Sequence, residues 1–513
     1  MKNVLEYLEY TAGKYPQKTA VIDTDRECTF LELLTNSRAV GYHISRFTDI
    51  ERPVAVFMEK GVAALEIFLG IVNAGCFYTL VDPGFPASRV EKILSVLEPE
   101  IIVTDAENYP KLKEIWDRKV IIYSEDLLKK ISREYSDENG EDALRTIREA
   151  VTDKSPLYCN FTSGSTGVPK GVLVGHSSVI DFIDVFTGTF DILEDEVIGN
   201  QAPFDFDVSV KDIYSCLKTG ATLVIIPKKY FSFPNNVVEM LEKHKVTTLI
   251  WAVSALTLLN RLHALKHIRP SALKKIMFSG EMMPVKQLNQ WREYYPEAMF
   301  VNLYGPTEIT CNCTYYVIER HFEEGEKIPM GKSFPNEKVF LLDESDRLIK
   351  ASEVLAQGEI CVAGTALALG YYNNEENTRK AFVQNPVNDK YPELIYRTGD
   401  IGYYGDDGNM YFAGRKDFQI KHMGHRIELE EVEAALGSVP YVEHACCFFD
   451  EEKGKLVAYY VGDGDKKKII DWMRVKVPEY MIPNVFRCVE SLPLNKNGKT
   501  DRKQIFEMYK KGR

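Results

Sequence analysis

The chain has 513 residues, with 63 Lys+Arg against 75 Asp+Glu, a formal net charge of -12 and 45% hydrophobic residues. This length exceeds one ordinary core and predicts two or more domains. The acidic balance excludes a sequence-independent nucleic-acid binder, which needs a basic stripe to displace counterions, and points to small molecules or proteins as partners.

The first residues, MKNVLEYLEYTAGKYP, carry acids where a signal peptide has an apolar core, and no apolar run approaches the roughly 18 residues of a membrane span. Ten cysteines are scattered from Cys28 to Cys488 without a C-x-x-C pair, a usage that predicts buried reduced thiols and a cytoplasmic protein. Further along, β-rich runs (PVAVFME, EIIVTD, KVIIY, ATLVIIP, VTTLIWAV, KIMFSG) alternate with helix-like stretches such as SRVEKILSVL and NNVVEMLEKH. This alternation predicts βαβ units and parallel sheets, hence a large α/β body. Residues 129–154 are charged and poor in apolar side chains, as in a solvated helix or linker.

Within the body, the strand-like LYCNF empties into TSGSTGVPKG, residues 162–171. Glycines let backbone N–H groups approach oxyanions and a lysine adds charge, so this loop predicts a phosphate cradle. It is not a Walker loop: the chain's GKT, at 498–500, has Pro493 where the first glycine of that motif belongs. Beyond YRTGDIGYYGDDGNMYFAGRKD the texture changes. RIELEEVEAAL reads as an amphipathic helix with Ile427, Leu429, Val432 and Leu436 on its apolar face, and strand-like HACCFFD and KLVAYYVG follow. A small α+β domain over 417–513 is expected after a body over 1–416. His422 and His425 form H-x-x-H without a third ligand nearby, so no zinc site is expected.

The segment YCNFTSGSTGVPKGVLVGH resembles the phosphate-loop signature of the adenylate-forming superfamily, which comprises acyl-CoA synthetases, luciferases and the adenylation domains of nonribosomal peptide synthetases. NLYGPTE at 302–308, YRTGD at 396–400, GRKDFQIKHMGHRIELEEVE at 414–433 and LPLNKNGKTDRK at 492–503 match in the same order, and NAGCFYTLVDPGFPASRV at 73–90 is similar to the family's N-terminal core. The resemblance implies a body of βαβ subdomains plus a small β-barrel-like subdomain, followed by a small mobile α+β domain. It also implies ATP and Mg²⁺ as cofactors.

Residue by residue, the resemblance assigns Thr162, Ser163, Gly164, Ser165, Thr166, Gly167 and Lys170 to the β and γ phosphates. It assigns Asn302, Tyr304, Gly305 and Thr307 to the nucleotide, with Tyr304 stacking on adenine and Thr307 at the α-phosphate. Glu308 would bind Mg²⁺, Asp400 the ribose hydroxyls, and Arg415 the ribose and phosphate side. Lys499 is the expected catalytic lysine at the α-phosphate, Asp417 the hinge, and Gly424 part of the loop that replaces Lys499 when a thiol attacks. Meeting of a carboxylate with a triphosphate is a problem of charge neutralisation and positioning, which these residue types answer.

FDVSV at 206–210 resembles the amino-acid-activating branch, in which the aspartate, here Asp207, pairs with the substrate α-ammonium; its alternative is a turn or helix N-cap acid. Other expected pocket residues are Val208, Lys211, Met277, Ser279, Gly280, Leu303, Cys311 and Asn312. Within that branch the chain most resembles free-standing D-alanine:carrier-protein ligases, but Ser279 stands where that family has cysteine and Lys211 where it has an apolar residue. Lys211 either enters the pocket to meet a side-chain carboxylate or points to solvent, so D-alanine, another small amino acid and an acidic one stay open. The expected partner is a phosphopantetheinylated acyl or peptidyl carrier protein, with no nucleic acid, no membrane insertion and a monomeric state. A carboxylic acid:CoA ligase and a silent binding protein that retains the fold are the competing functions.

Overall fold

The computed structural model describes residues 1–164, 167–451, 453–493 and 500–512. The chain forms two compact units. One comprises Met1–Pro83, Leu97–Asn160 and Gly171–Lys416, and the other Gly84–Val96, Phe161–Lys170 and Asp417–Arg513.

In the first unit the predicted β-rich runs form strands Pro53–Phe57, Ile101–Asp105, Lys119–Tyr123, Thr222–Ile225, Thr248–Ala252 and Lys275–Ser279. Most are buried on both faces, which is why they read as continuous apolar runs instead of alternating ones. The largest sheet has nine strands, with a parallel centre in the order Met299–Tyr304, Lys275–Ser279, Thr248–Ala252, Val197–Asn200, Thr222–Ile225 and Thr19–Ile22. A seven-stranded sheet is parallel through Phe77–Leu80, Pro53–Phe57, Ile101–Asp105 and Lys119–Tyr123. A third, antiparallel sheet is built on Glu337–Leu342, Gly358–Gly364, Leu394–Tyr404 and Met410–Arg415. Parallel strands all end on the same edge, so Asn200, Ala252, Ser279 and Tyr304 finish their strands side by side; ligand sites in α/β folds gather at that edge.

The charged stretch around 129–154 is helical: Glu125–Asp137, capped by Ser124, and Gly140–Ala150 are joined through Asn139 in the left-handed conformation. Each buries only one or two residues, which explains its polar composition.

The second unit holds a two-stranded hairpin, Gln419–His422 with His425–Glu428, then helix Leu429–Gly437 and a sheet of Val442–Asp450, Lys455–Gly462 and Val485–Cys488. Ile427 belongs to the hairpin and not, as its spacing suggests, to the helix; Glu428 with extended backbone is the N-cap. All ten cysteines are free and nine are buried. No helix among the described residues is long and apolar enough to cross a membrane.

Candidate active site

The strand Met299–Tyr304 delivers its last residue to a buried polar cluster. The Tyr304 hydroxyl donates to Asp400 Oδ2 at 2.5 Å, and Arg415 Nη1 pairs with Asp400 Oδ1 at 2.5 Å. Asp400 and Arg415 face each other across adjacent strands, so sheet register alone brings the two charges together. Arg415 Nη2 also donates to the Thr398 carbonyl at 3.3 Å, and the Asp400 N–H to Thr398 Oγ1 at 3.0 Å. Burial and the adjacent Asp400 push the Tyr304 phenol well above its ordinary range, so it stays a neutral donor. A carboxylate holding one phenol and one guanidinium keeps lone pairs for further O–H donors.

Asn302, on the same strand, is fastened by Nδ2 to the Pro329 carbonyl at 2.7 Å. Thr307 and Glu308 follow in a single 3₁₀ turn, Thr307–Ile309, both buried. The Tyr371 hydroxyl donates to Glu308 Oε1 at 2.7 Å. Gly305 has a packing reason: a Cβ there would lie 2.5 Å from Asn312 Cα and 2.6 Å from the Cys311 carbonyl, so only glycine lets these segments meet.

The chain is strained just beyond that close approach. Thr310 and Cys311 have φ of 51° and 77°, a left-handed backbone that costs of order 1–3 kcal/mol per non-glycine residue and concentrates at functional sites. Thr310 Oγ1 holds the strained turn by donating to the Ala366 carbonyl at 2.7 Å, and Cys311 Sγ reaches the Asp207 carbonyl at 3.0 Å. Asp207, a residue 4% exposed, occupies the N-cap position of helix Val208–Thr219, yet its carboxylate makes no capping bond. The backbone thus takes the N-cap position of the first alternative, and the side chain does not cap the helix.

Lys211, one turn further on, points inward: it is 0% exposed and Nζ donates to Asn312 Oδ1 at 2.6 Å. Burial pulls its pKa down, while Cys311, Asp207 and Asp212 act in the opposite direction. Met277 and Ser279 on strand Lys275–Ser279, Leu303 and Val208 are buried; Gly280 follows with φ of 93°. Sequence reasoning missed Tyr158, a buried residue whose hydroxyl finds no hydrogen-bond partner and whose pKa is raised by burial and then by Cys311 and Asp207. It also missed Tyr371 and Thr398, for which no local pattern exists.

The glycine-rich loop is held within the second unit. Ser163 Oγ donates to the Arg426 carbonyl at 2.7 Å and accepts from the Glu428 N–H at 3.1 Å. Lys92 Nζ donates to the Gly167 carbonyl at 2.7 Å, and Arg89 pairs with Glu431 at 2.7 Å with both side chains buried. Gly164 admits no side chain, because a Cβ would stand 2.0 Å from the Val168 carbonyl. Thr162 is buried, and half-buried Lys170 opens strand Lys170–Gly175. Burial raises the Glu428 carboxyl, with Arg426 and then Lys170 drawing it back. Asp417 Oδ1 accepts from the Gln419 N–H at 3.2 Å, and Gly424 with Met423 forms the tip of the hairpin. Ser165, Thr166 and Lys499 lie outside the described residues.

Comparison with known proteins identifies the family. Residues 8–372 match the AMP-binding enzyme family and residues 431–499 match the AMP-binding enzyme C-terminal domain. The chain is 32% identical to a D-alanine--D-alanyl carrier protein ligase of Bacillus cereus (strain Q1), covering 98% of both chains. It is 31% identical to bacitracin synthase 1 of Bacillus licheniformis over 99% of its own length but only 9% of that protein's. Its fold is similar to that of the Vibrio cholerae adenylation domain AlmE, with a TM-score of 0.83, 21% identity and coverage of 99% and 98%. It is also similar to o-succinylbenzoate CoA synthetase of Bacillus subtilis, with a TM-score of 0.81, 20% identity and the same coverage. The chain belongs to the family of AMP-binding enzymes, ligases that use ATP and form AMP.

Proposed function

We propose that the protein activates an amino acid as its aminoacyl-AMP and transfers the aminoacyl group to the phosphopantetheine thiol of a carrier protein. The observation that carries this reading is Asp207, a residue 4% exposed whose carboxylate is not used as a helix cap. A buried carboxylate attracts cations strongly, and the α-ammonium of an amino acid is such a cation. A carboxylic acid:CoA ligase has no such need.

In this reading the Asp400 carboxylate accepts the ribose hydroxyls while Tyr304 lies against adenine, Thr307 faces the α-phosphate, and Arg415 lies on the ribose and phosphate side. Thr162, Ser163, Gly164, Ser165, Thr166, Gly167 and Lys170 hold the departing pyrophosphate, Lys499 neutralises charge at the α-phosphate, and movement at Asp417 brings the Gly424 loop into its place. The substrate carboxylate oxygen attacks the α-phosphorus, the bond to the β-phosphate oxygen breaks, and pyrophosphate leaves. The carrier thiol, losing its proton, then attacks the acyl carbon and AMP departs. Glu308, buried and anchored by Tyr371, fits Mg²⁺, which takes a single carboxylate together with phosphate oxygens and water. Bound there, Mg²⁺ would neutralise phosphate charge.

D-alanine is the substrate suggested by the relatives that the chain covers end to end. A second reading comes from Lys211, whose buried ammonium has a neutral amide as its hydrogen-bond partner. It favours an amino acid whose side chain carries an acceptor, above all a carboxylate. Carrier loading followed by mass spectrometry tests the proposal. An aminoacyl mass added to the phosphopantetheinylated carrier supports it, and acyl transfer to free CoA from acids without an amine would replace it with the CoA ligase.

A further inference from the structure

Lys60 lies outside every segment that suggested the site, in the turn after strand Pro53–Phe57. Its Nζ donates to Asn200 Oδ1 at 2.8 Å, to the Gln201 carbonyl at 2.8 Å and to the Ala202 carbonyl at 3.1 Å, with the Asn200 carbonyl at 3.4 Å. Three consecutive residues at the end of strand Val197–Asn200 thus converge on one ammonium, which has three hydrogens to give. The chain then runs through Pro203–Phe206 into Asp207 and helix Val208–Thr219. Asn200 also reaches forward to that helix: Nδ2 donates to Asp212 Oδ2 at 2.7 Å, next to Lys211. Asp212 is fully buried and its other oxygen has no hydrogen-bond partner, so Asn200 ties its position to Lys60.

We propose that Lys60 is a positioning residue for the amino-acid pocket, gripping the 200–202 segment and, through Asn200 and Asp212, orienting the helix that presents Asp207 and Lys211. The inference rests on the amino-acid reading of that pocket. None of the atoms Lys60 binds belongs to the Tyr304, Asp400 and Arg415 cluster. Removing it therefore disturbs the acid side and spares the nucleotide side, a split that general loss of stability does not produce.

The test is ATP–pyrophosphate exchange by the full chain with whichever amino acid the parent exchanges best. Lys60→Met is expected to raise the amino-acid KM roughly tenfold or more, the scale of losing charged hydrogen bonds, with the ATP KM within about twofold. Lys60→Arg, which keeps the charge and several donors, is expected to restore most of the loss. Should Lys60→Met fail to fold, Lys60→Gln carries the same expectation. An unchanged amino-acid KM, or equal rises in both KM values, overturns the positioning role while leaving the amino-acid reading intact. A parent that exchanges with no amino acid overturns both.

Discussion

Replacing Lys211 with methionine separates the two substrate readings, because the side chain keeps its length and loses only its charge and donors. Lys211 is fully buried and its ammonium is bonded at 2.6 Å to the neutral Asn312 amide. Leaving Asn312 Oδ1 without that donor costs about 1–3 kcal/mol. Removing a buried charge returns a desolvation penalty of several kcal/mol. The buried Asp207 and Asp212 lose the attraction of that ammonium, which offsets the return, so the terms together predict a folded variant with a melting temperature little changed. For an amino acid whose side-chain carboxylate meets Lys211, loss of a charged hydrogen bond of about 1.5–3 kcal/mol lowers kcat/KM roughly ten- to hundredfold. For alanine no such bond exists and the apolar replacement is neutral or favourable. The assay is pyrophosphate exchange with D- and L-alanine, aspartate and glutamate, parent beside variant. A ranking that shifts from the acidic substrates toward alanine bears the reasoning out. An unchanged ranking refutes any selective role for Lys211, and strong destabilisation refutes the burial argument.

Asp400→Ala removes the shared acceptor of Tyr304 and Arg415, so it is expected to destabilise the protein by about 1–3 kcal/mol and to abolish AMP binding; urea unfolding checks the first and calorimetry of AMP binding, at a temperature where the variant is folded, the second. His176, 3% exposed, accepts the Val4 N–H on Nδ1 at 3.4 Å, and burial holds its pKa at about 3 against an ordinary 6.5. The unfolded chain binds this proton below 6.5 while the folded chain does not until about 3, so stability falls as pH drops through that window. His176→Gln should remove about one proton from the pH slope of the urea-unfolding free energy between pH 6.5 and 5; identical slopes contradict it.

Much of this was legible in the sequence because the strands are buried on both faces and read as apolar blocks between turn residues. The loop at 162–171 and the segments around Tyr304 and Asp400 carry short patterns whose chemistry is local, and the fold comparisons agree with the α/β body they imply. Where the sequence left alternatives, the deciding fact was tertiary. The inward turn of Lys211 rests on Asn312, far away in the sequence, and on a strained turn at Thr310 and Cys311 that no propensity announces. Ser163 binding Arg426 and Glu428, and Lys60 gripping residues 200–202, likewise pair positions with no shared local signal. Ile427 was misread for a simpler reason: one apolar residue at the junction of a strand and a helix fits either period.

The central claim is that Asp207 receives the α-ammonium of an amino acid. Pyrophosphate exchange across D- and L-amino acids and their des-amino analogues, with the parent and Asp207→Ala side by side, tests it most directly. The account predicts exchange with at least one amino acid, none with its des-amino analogue, and loss of at least roughly tenfold in kcat/KM for Asp207→Ala with the ATP KM little changed. Exchange driven equally by the acid lacking the amine, or undiminished in Asp207→Ala, would contradict it.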